Sequence, residues 1–243
     1  MEGYGPATYG DRIAETYDAL YEGTLDTEGA VETLADLAAG GPVLELAIGT
    51  GRLALPLVKK GLEVRGIDAS ERMVEKLRAK PGGSAIPVTM GDFADVGVKG
   101  EYRLIFIAFN TLFALLTQDD QRRCFANAAE HLTDDGLFVV EAFRPDLGRF
   151  DRGQRTNVSG VDVGQVMLEA SRHDPIEQRV DSQHIVITEA GIKLYPVSIR
   201  YAFPSELDLM ARLTCLELRE RWGSWKREPI TADSNRHVSV YAR

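Results

Sequence analysis

Hydrophobic positions along the chain repeat with more than one period, and the changes of period mark the elements. In the opening segment Ile13, Tyr17, Leu20 and Tyr21 fall at i, i+4, i+7 and i+8, which is one face of a short amphipathic helix. A second helix is predicted from about Thr27 to Ala39, capped by Asp26 or Thr27 and ended by Gly40–Gly41. From Pro42 to Ile48 the run is apolar except for Glu45, as expected of a strand buried on both faces of a parallel sheet. A glycine-rich turn, a helix over Arg52–Lys60 and a strand over Leu62–Ile67 follow, then a helix over Ser70–Ala79 and a strand over Ile86–Met90. A strand over Leu104–Phe109, a helix over Asp119–His131 and a strand over Gly136–Phe143 complete the alternation, the last introduced by the turn signal Asp134–Asp135–Gly136. Strands alternating with helices imply right-handed crossovers and an α/β fold around a mostly parallel sheet.

After Pro145 the period becomes two. Three β-rich stretches, Gln165–Ser171, Arg179–Thr188 and Ile192–Phe203, are separated by turns at His173–Asp174–Pro175 and Ala190–Gly191, which predicts an inserted three-strand antiparallel meander. A helix over Ser205–Leu213 precedes strands at Leu216–Trp222 and Val238–Tyr241, which have no helix between them and therefore form an antiparallel hairpin at the sheet edge.

Composition narrows the partners. The 243 residues suit one large domain, and 44% hydrophobic with 27% charged residues is a globular balance. A formal net charge of −9 repels phosphate backbones, so nucleic acid is not an expected partner. No apolar run approaches the roughly 20 residues of a membrane span, and MEGYGPATYG lacks a signal-peptide pattern, which predicts no membrane association and a cytoplasmic address. Cys124 and Cys215 have no CxxC partner, and His131, His173, His184 and His237 are scattered, so neither a disulfide nor a metal site is expected.

The segment Val43–Leu57, VLELAIGTGRLALPL, supports two readings. As Gly49-x-Gly51-x-x-Ala54 with Asp68 ending the next strand it matches a dinucleotide fingerprint, and an NAD(P)-dependent oxidoreductase is the corresponding activity. As Glu45-x-Ala47-x-Gly49-x-Gly51 it resembles the first motif of class I S-adenosylmethionine-dependent methyltransferases, in which glycine usually stands in place of Ala47. In both readings Asp68 accepts from ribose hydroxyls. Later segments favour the second. Gly91–Asp92–Phe93 resembles the family's adenine-side motif, with Asp92 accepting from the exocyclic amine and Phe93 covering the ring, and Phe109–Asn110–Thr111–Leu112–Phe113 occupies the place beside the methionine portion. No Tyr-x-x-x-Lys pair for hydride chemistry is present, and the LTDDGLFVVEAF turn and the final strand pair also resemble this family.

The resemblance covers nearly the whole chain. It implies a class I, Rossmann-like fold within a single domain: an N-terminal helical lid over 1–41, a cofactor-binding core over 42–145, the meander over 160–203 and a C-terminal helix and hairpin over 204–243. The implied cofactor is S-adenosyl-L-methionine, leaving S-adenosyl-L-homocysteine. Its implied contacts are Tyr17 with Glu45, Ala47, Gly49, Gly51 and Arg52 on the first turn, Asp68, Ala69 and Met73 on the second, and Gly91, Asp92, Phe93, Phe109 and Asn110 beyond.

Tyr9 and Tyr17, in the segment before the core, narrow the resemblance to amine N-methyltransferases of amino sugars, lincosamide-type antibiotics or glycine-like substrates. Those enzymes place early tyrosines and a phenylalanine around the methyl group, which implies catalytic roles for Tyr9, Tyr17 and Phe113. Tyr17 as an apolar anchor is the competing reading. The resemblance thus implies methylation of a small-molecule amine in specialised, antibiotic-like biosynthesis, with O-methylation as an alternative. Glu141 and Arg144 leave the fifth strand at the ligand-binding edge, Arg200 and Tyr201 read as an exposed edge pair, and Trp222 and Trp225 read as packing for the insert or a subunit contact. The meander's edge strands suit pairing between copies, so a homodimer is expected.

Overall fold

In a computed structural model, which describes residues 1–21, 23, 25–95 and 97–243, the alternating pattern becomes a seven-stranded sheet. Its strands are β1 (Val43–Leu46), β2 (Val64–Asp68), β3 (Val88–Met90), β4 (Tyr102–Ile107) and β5 (Leu132–Phe143), joined after an inserted sheet by β10 (Glu217–Trp222) and β11 (Arg236–Ala242). The order is β10-β11-β5-β4-β1-β2-β3; the first five strands run parallel, and β11 and β10 add antiparallel at one edge, as the terminal hairpin predicts. The order reverses between β1 and β4, and the cleft at the carboxyl ends of these strands is where open α/β sheets take ligands.

Alternation along β4 explains the burial on both faces. Leu104 and Phe106 point to one layer, with Leu57, Val139 and Trp222, while Ile105 and Ile107 point to the other, with Phe125, Phe138 and Tyr241. The first layer carries α3 (Thr27–Ala38) and α4 (Ala54–Lys59), and the second carries α6 (Gln118–Glu130) and α7 (Pro204–Leu213). Trp222 and Trp225 belong to the first layer, where Thr33 Oγ1 donates to the Trp225 carbonyl at 2.6 Å; they pack the core beside α3 rather than the insert.

The single opening helix of the pattern is two, α1 (Thr8–Ile13) and α2 (Tyr17–Tyr21). Thr16 donates its hydroxyl to the Ile13 carbonyl at 3.3 Å and closes a turn between them, a local side-chain bond that competes with helix continuation. Both lean on α5 (Glu71–Arg78) and the glycine turn. Ser70 Oγ donates to Asp11 Oδ1 at 2.6 Å, Lys76 pairs with Glu15 at 2.6 Å and Lys80 pairs with Asp18 at 2.7 Å.

The meander has one strand more than its sequence pattern. It runs β6 (Gln154–Asp162), β7 (Gln165–Asp174), β8 (Arg179–Thr188) and β9 (Gly191–Arg200), paired in that order. Strand β6 gives little hydrophobic signal because it is mostly polar and its register shifts between Val158 and Gly160. One face, with His184, Val197 and Ile199, looks into the cleft. On the other, Val158, Leu168, Ile185 and Leu194 align across the four strands. Arg200 and Tyr201, expected at an exposed edge, are buried. Arg200 pairs with Glu206 at 2.7 Å and donates to Gln121 Oε1 at 2.8 Å, bolting β9 to α6 and α7.

Candidate active site

The glycine turn is built on left-handed backbone. Ala47, Gly49 and Gly51 have φ of +58°, +57° and +79°. The dihedral favours glycine at Gly51, and a Cβ there would stand 2.3 Å from Leu77 Cδ1, so the buried Leu77 tip would have to move. At Gly49 the nearest foreign side-chain atom to such a Cβ is 3.7 Å away, and the open side is the cleft itself. Ala47 bears a Cβ in a region that costs an ordinary residue roughly 1–2 kcal/mol.

Asp68 clamps this turn. Its Oδ2 accepts from the Gly49 N–H at 2.7 Å and its Oδ1 from the Ser70 N–H at 2.8 Å. Burial raises its pKa, against the pull of those two N–H groups. Glu45 lies beside it on β1, 6% exposed, and its Oε2 has no hydrogen-bond partner among the described residues. Burial lifts Glu45 from 4.5 to about 8; Arg52 and the Ala54 N–H oppose that rise, and Asp68 adds to it. Arg52 sits in the turn before α4, donates to Thr27 Oγ1 at 3.0 Å and faces the Tyr17 phenol.

The N-terminal helices supply an aromatic roof. Tyr9 and Tyr21 hydroxyls are 2.9 Å apart, the Tyr17 and Tyr21 rings are 4.9 Å apart, and Tyr21 meets Phe109 edge-on at 4.9 Å. Burial pushes the Tyr17 phenol up to about 12, opposed by Arg52, and raises Tyr9 well above 10.0, so both phenols stay protonated at neutral pH. Opposite, the chain leaves β4 through Phe109 and Asn110 at φ of +52° and +64°, two successive non-glycine residues in a strained region. Glu141 holds them there: its Oε2 accepts from the Phe109 N–H at 2.8 Å and its carbonyl from the Asn110 N–H at 3.1 Å.

These walls enclose a cleft of about 460 Å³, within the roughly 300–1,000 Å³ of small-molecule sites. At one end stand Asp92 and Phe93, with Asp92 Oδ1 accepting from the Ala94 N–H at 2.9 Å; at the other stand Phe143, His184 and Val197. Most predicted positions meet on its wall, namely Tyr9, Tyr17, Glu45, Ala47, Gly49, Arg52, Asp68, Ala69, Met73, Asp92, Phe93, Phe109 and Asn110. Gly51, Gly91 and Phe113 do not reach it. Gly51 packs under the turn, and Phe113 is sealed in the core against Phe143, whose ring is 5.0 Å away and does line the cleft.

Several wall residues lay outside the sequence reading of the site, Tyr21 and His184 among them. Tyr21 was legible as a helix-face position, but its place in the phenol cluster depends on the break before α2. His184 carries no local signal at all, because its orientation depends on which meander face packs inward. The other histidines are structural. His131 bonds the carbonyls of Asn127 and Val98, His173 bonds the Tyr201 hydroxyl at 2.9 Å, and His237 is buried against Ser239. Among the described residues no group of three or more His, Cys, Asp or Glu could hold a metal ion. Both cysteines are free, Cys124 buried and Cys215 exposed.

The site fits an adenosyl ligand on its own geometry: a carboxylate at the end of β2, a glycine turn open toward it, and an aromatic ring beside a second carboxylate after β3. Comparison with known proteins agrees. Residues 43–136 match the family described as a methyltransferase domain. The structure of the CcbJ methyltransferase from Streptomyces caelestis superposes with a TM-score of 0.93 at 43% sequence identity, covering 98% of this chain and 99% of that one. A cypemycin N-terminal methyltransferase from Streptomyces sp is 24% identical over 241 residues, 98% of both chains. CalS10 from Micromonospora echinaspora, an amino pentose methyltransferase solved with S-adenosylmethionine bound, shares the fold at a TM-score of 0.70 and 20% identity, covering 94% of this chain and 96% of that one.

Proposed function

We propose that this chain, which belongs to the class I S-adenosylmethionine-dependent methyltransferases, methylates an amine nitrogen of a small molecule. When bound, the cofactor supplies an electrophilic methyl group on a positively charged sulfur. The chain's own part is to position and to shield. Asp68 receives the ribose hydroxyls, Asp92 and Phe93 take the adenine, and Arg52 takes the cofactor carboxylate. Tyr9 and Tyr17 present protonated phenols and ring faces to the reacting centre, and Phe113 acts through Phe143, which it backs.

The observation that carries nitrogen over oxygen is the neutral aromatic cluster of Tyr9, Tyr17, Tyr21 and Phe109 over the cleft. Amine methylation leaves a cationic ammonium, which ring faces and phenol oxygens stabilise, whereas an ether product carries no charge for them to meet. The amine substrates printed in the names of the cypemycin and amino pentose relatives support the same class, and with it a place in antibiotic-like metabolism. The nicotinamide reading of the Gly49-x-Gly51 turn is superseded, since the family's cofactor is S-adenosylmethionine.

The test is incubation with methyl-labelled cofactor and a panel of small primary and secondary amines with matched alcohols, read by mass spectrometry. Label on nitrogen is the expected product; label confined to the alcohols would replace this reading with O-methylation. The proposal includes a homodimer seated on the outer meander face and a cytoplasmic address. Among the described residues no helix is long and apolar enough to cross a membrane.

A further inference from the structure

Two carboxylates line the cleft, and they are unequally provided for: Glu45 has the Ala54 N–H, but one of its oxygens is left without a partner among the described residues. Asp68 receives two backbone N–H groups, at 2.7 and 2.8 Å. Glu45, on the neighbouring strand, is just as buried, yet its Oε2 has no hydrogen-bond partner among the described residues although Glu45 lines the cleft. The charged and titratable groups facing it are Asp68 from β2, Arg52 from the turn before α4 and Tyr17 from α2, while β4 places the apolar Phe106 alongside. Arg52 is the one cation among these, and it also serves Thr27 and Tyr17.

One guanidinium, shared with Thr27 and Tyr17, does not offset the burial of the Glu45 carboxylate beside Asp68. Burying an ion without its partner costs several kcal/mol even after relaxation, so the group left unpaired takes a proton instead. Burial and the neighbouring Asp68 act on Glu45 in that direction. The balance changes when a cation enters the same cavity, since the ionised form then gains a partner in a site of low dielectric.

We propose that Glu45 selects the cationic methyl donor over its neutral thioether product, ionising when the sulfonium shares the cleft and recovering its proton when that charge is gone. The inference rests on the methyltransferase reading and deepens it. The bond that breaks is Glu45 O–H, and the proton passes to water or buffer. Donor and product share the same amino and carboxylate groups and differ by one methyl and one positive charge, and the Glu45→Gln comparison separates the part of that difference that passes through Glu45. After transfer the positive charge leaves with the methylated ammonium, the Glu45 carboxylate loses its partner, and reprotonation returns the site to its starting state. Product inhibition by the thioether then weakens relative to the donor as pH rises.

The experiment is titration calorimetry of the full chain with S-adenosylmethionine and with S-adenosylhomocysteine, from about pH 6 to about pH 9, in two buffers of different ionisation heat. The wild type is expected to release more protons on binding donor than on binding product near neutral pH, and its donor-to-product affinity ratio to rise on the order of tenfold across the range. Glu45→Gln keeps the shape of the neutral acid, and its ratio is expected to be flat with the extra proton release gone. The wild-type result stands without the variant, so a misfolded variant does not rescue the idea. Tight binding of both ligands with a pH-independent ratio would overturn the role of Glu45 alone, as would extra proton release that persists in Glu45→Gln. Failure of either ligand to bind at any pH would overturn the methyltransferase reading and this inference together.

Discussion

Ala47 holds a left-handed backbone in which a Cβ is strained, at the head of a turn whose next two bends are glycines. Ala47→Gly relieves that strain while loosening the unfolded chain, two effects of about 1 kcal/mol each and opposite sign. Its thermal midpoint is therefore expected within a few degrees of wild type, whereas Gly51→Ala, driven into Leu77 at 2.3 Å, should lose roughly 2 kcal/mol or more by chemical denaturation. Tyr17 carries the sharper functional forecast. Its phenol is buried and protonated and faces Arg52. Tyr17→Phe is expected to lower turnover by on the order of 10²-fold through misplacement of the reacting centre, with cofactor affinity by calorimetry nearly unchanged. Unchanged turnover would mean that Tyr17 is packing only.

At the scale of elements, what was legible in the sequence follows from how local each signal is. The run broken only by Glu45, the glycines of the turn and the Asp68 that ends the next strand are contiguous, and the sheet delivers them to one place through pairing of Val43–Leu46 with its neighbours. Gly91-Asp92-Phe93 and Phe109-Asn110 likewise sit directly after strands whose carboxyl ends line the same cleft. Residues whose placement depends on long-range packing were not legible. Phe113 lies on a short 3-10 turn over Thr111–Ala114, which rotates it into the core and leaves Phe109 and Phe143 on the wall. Strand β6 lacks apolar alternation, and the inward face of the meander is fixed by β9 packing on α1 and on that turn. The roof is held by the apolar contacts of Ile13 and Ala14 with Met73 and by partly exposed polar ties. Thr50 Oγ1 donates to Asp18 at 2.6 Å, and Lys80 joins the same carboxylate. Asp18→Asn is accordingly expected to change global stability by less than about 1 kcal/mol. It should also speed amide hydrogen exchange in Tyr17–Tyr21, whereas unchanged exchange there would assign the roof's hold to its tyrosines.

For the whole molecule, two buried titratable groups set opposite slopes of stability against pH. Burial, with Arg221 adding to it, pulls His237 from 6.5 down to about 4, so the fold keeps it neutral while an unfolded chain takes up its proton. Its contribution is therefore present above about 6.5 and is lost as pH falls toward about 4. Glu45 works the other way. Its raised pKa means that the folded chain holds the extra proton, so stability without cofactor falls as pH rises from 4.5 toward about 8. Thermal melts across this range should show a shallower acid limb in His237→Asn, and an unaltered limb would assign acid sensitivity to other groups. The outer meander face, with Val158, Ile185 and Leu194 in line across the strands, is expected to bring copies together. Light scattering should find a dimer that Leu194→Lys converts to monomer, and a wild-type monomer would remove the assembly.

The central claim is that the turn from Ala47 to Gly51, Asp68, Asp92 and the tyrosine roof together hold an adenosyl cofactor with its sulfur toward Tyr17. A crystal structure of the chain with S-adenosylhomocysteine measures this directly. The account predicts ribose hydroxyls on Asp68, adenine against Phe93 and Asp92, and the sulfur beneath Tyr9 and Tyr17. A ligand lying elsewhere, or with its ribose turned away from Asp68, would contradict it.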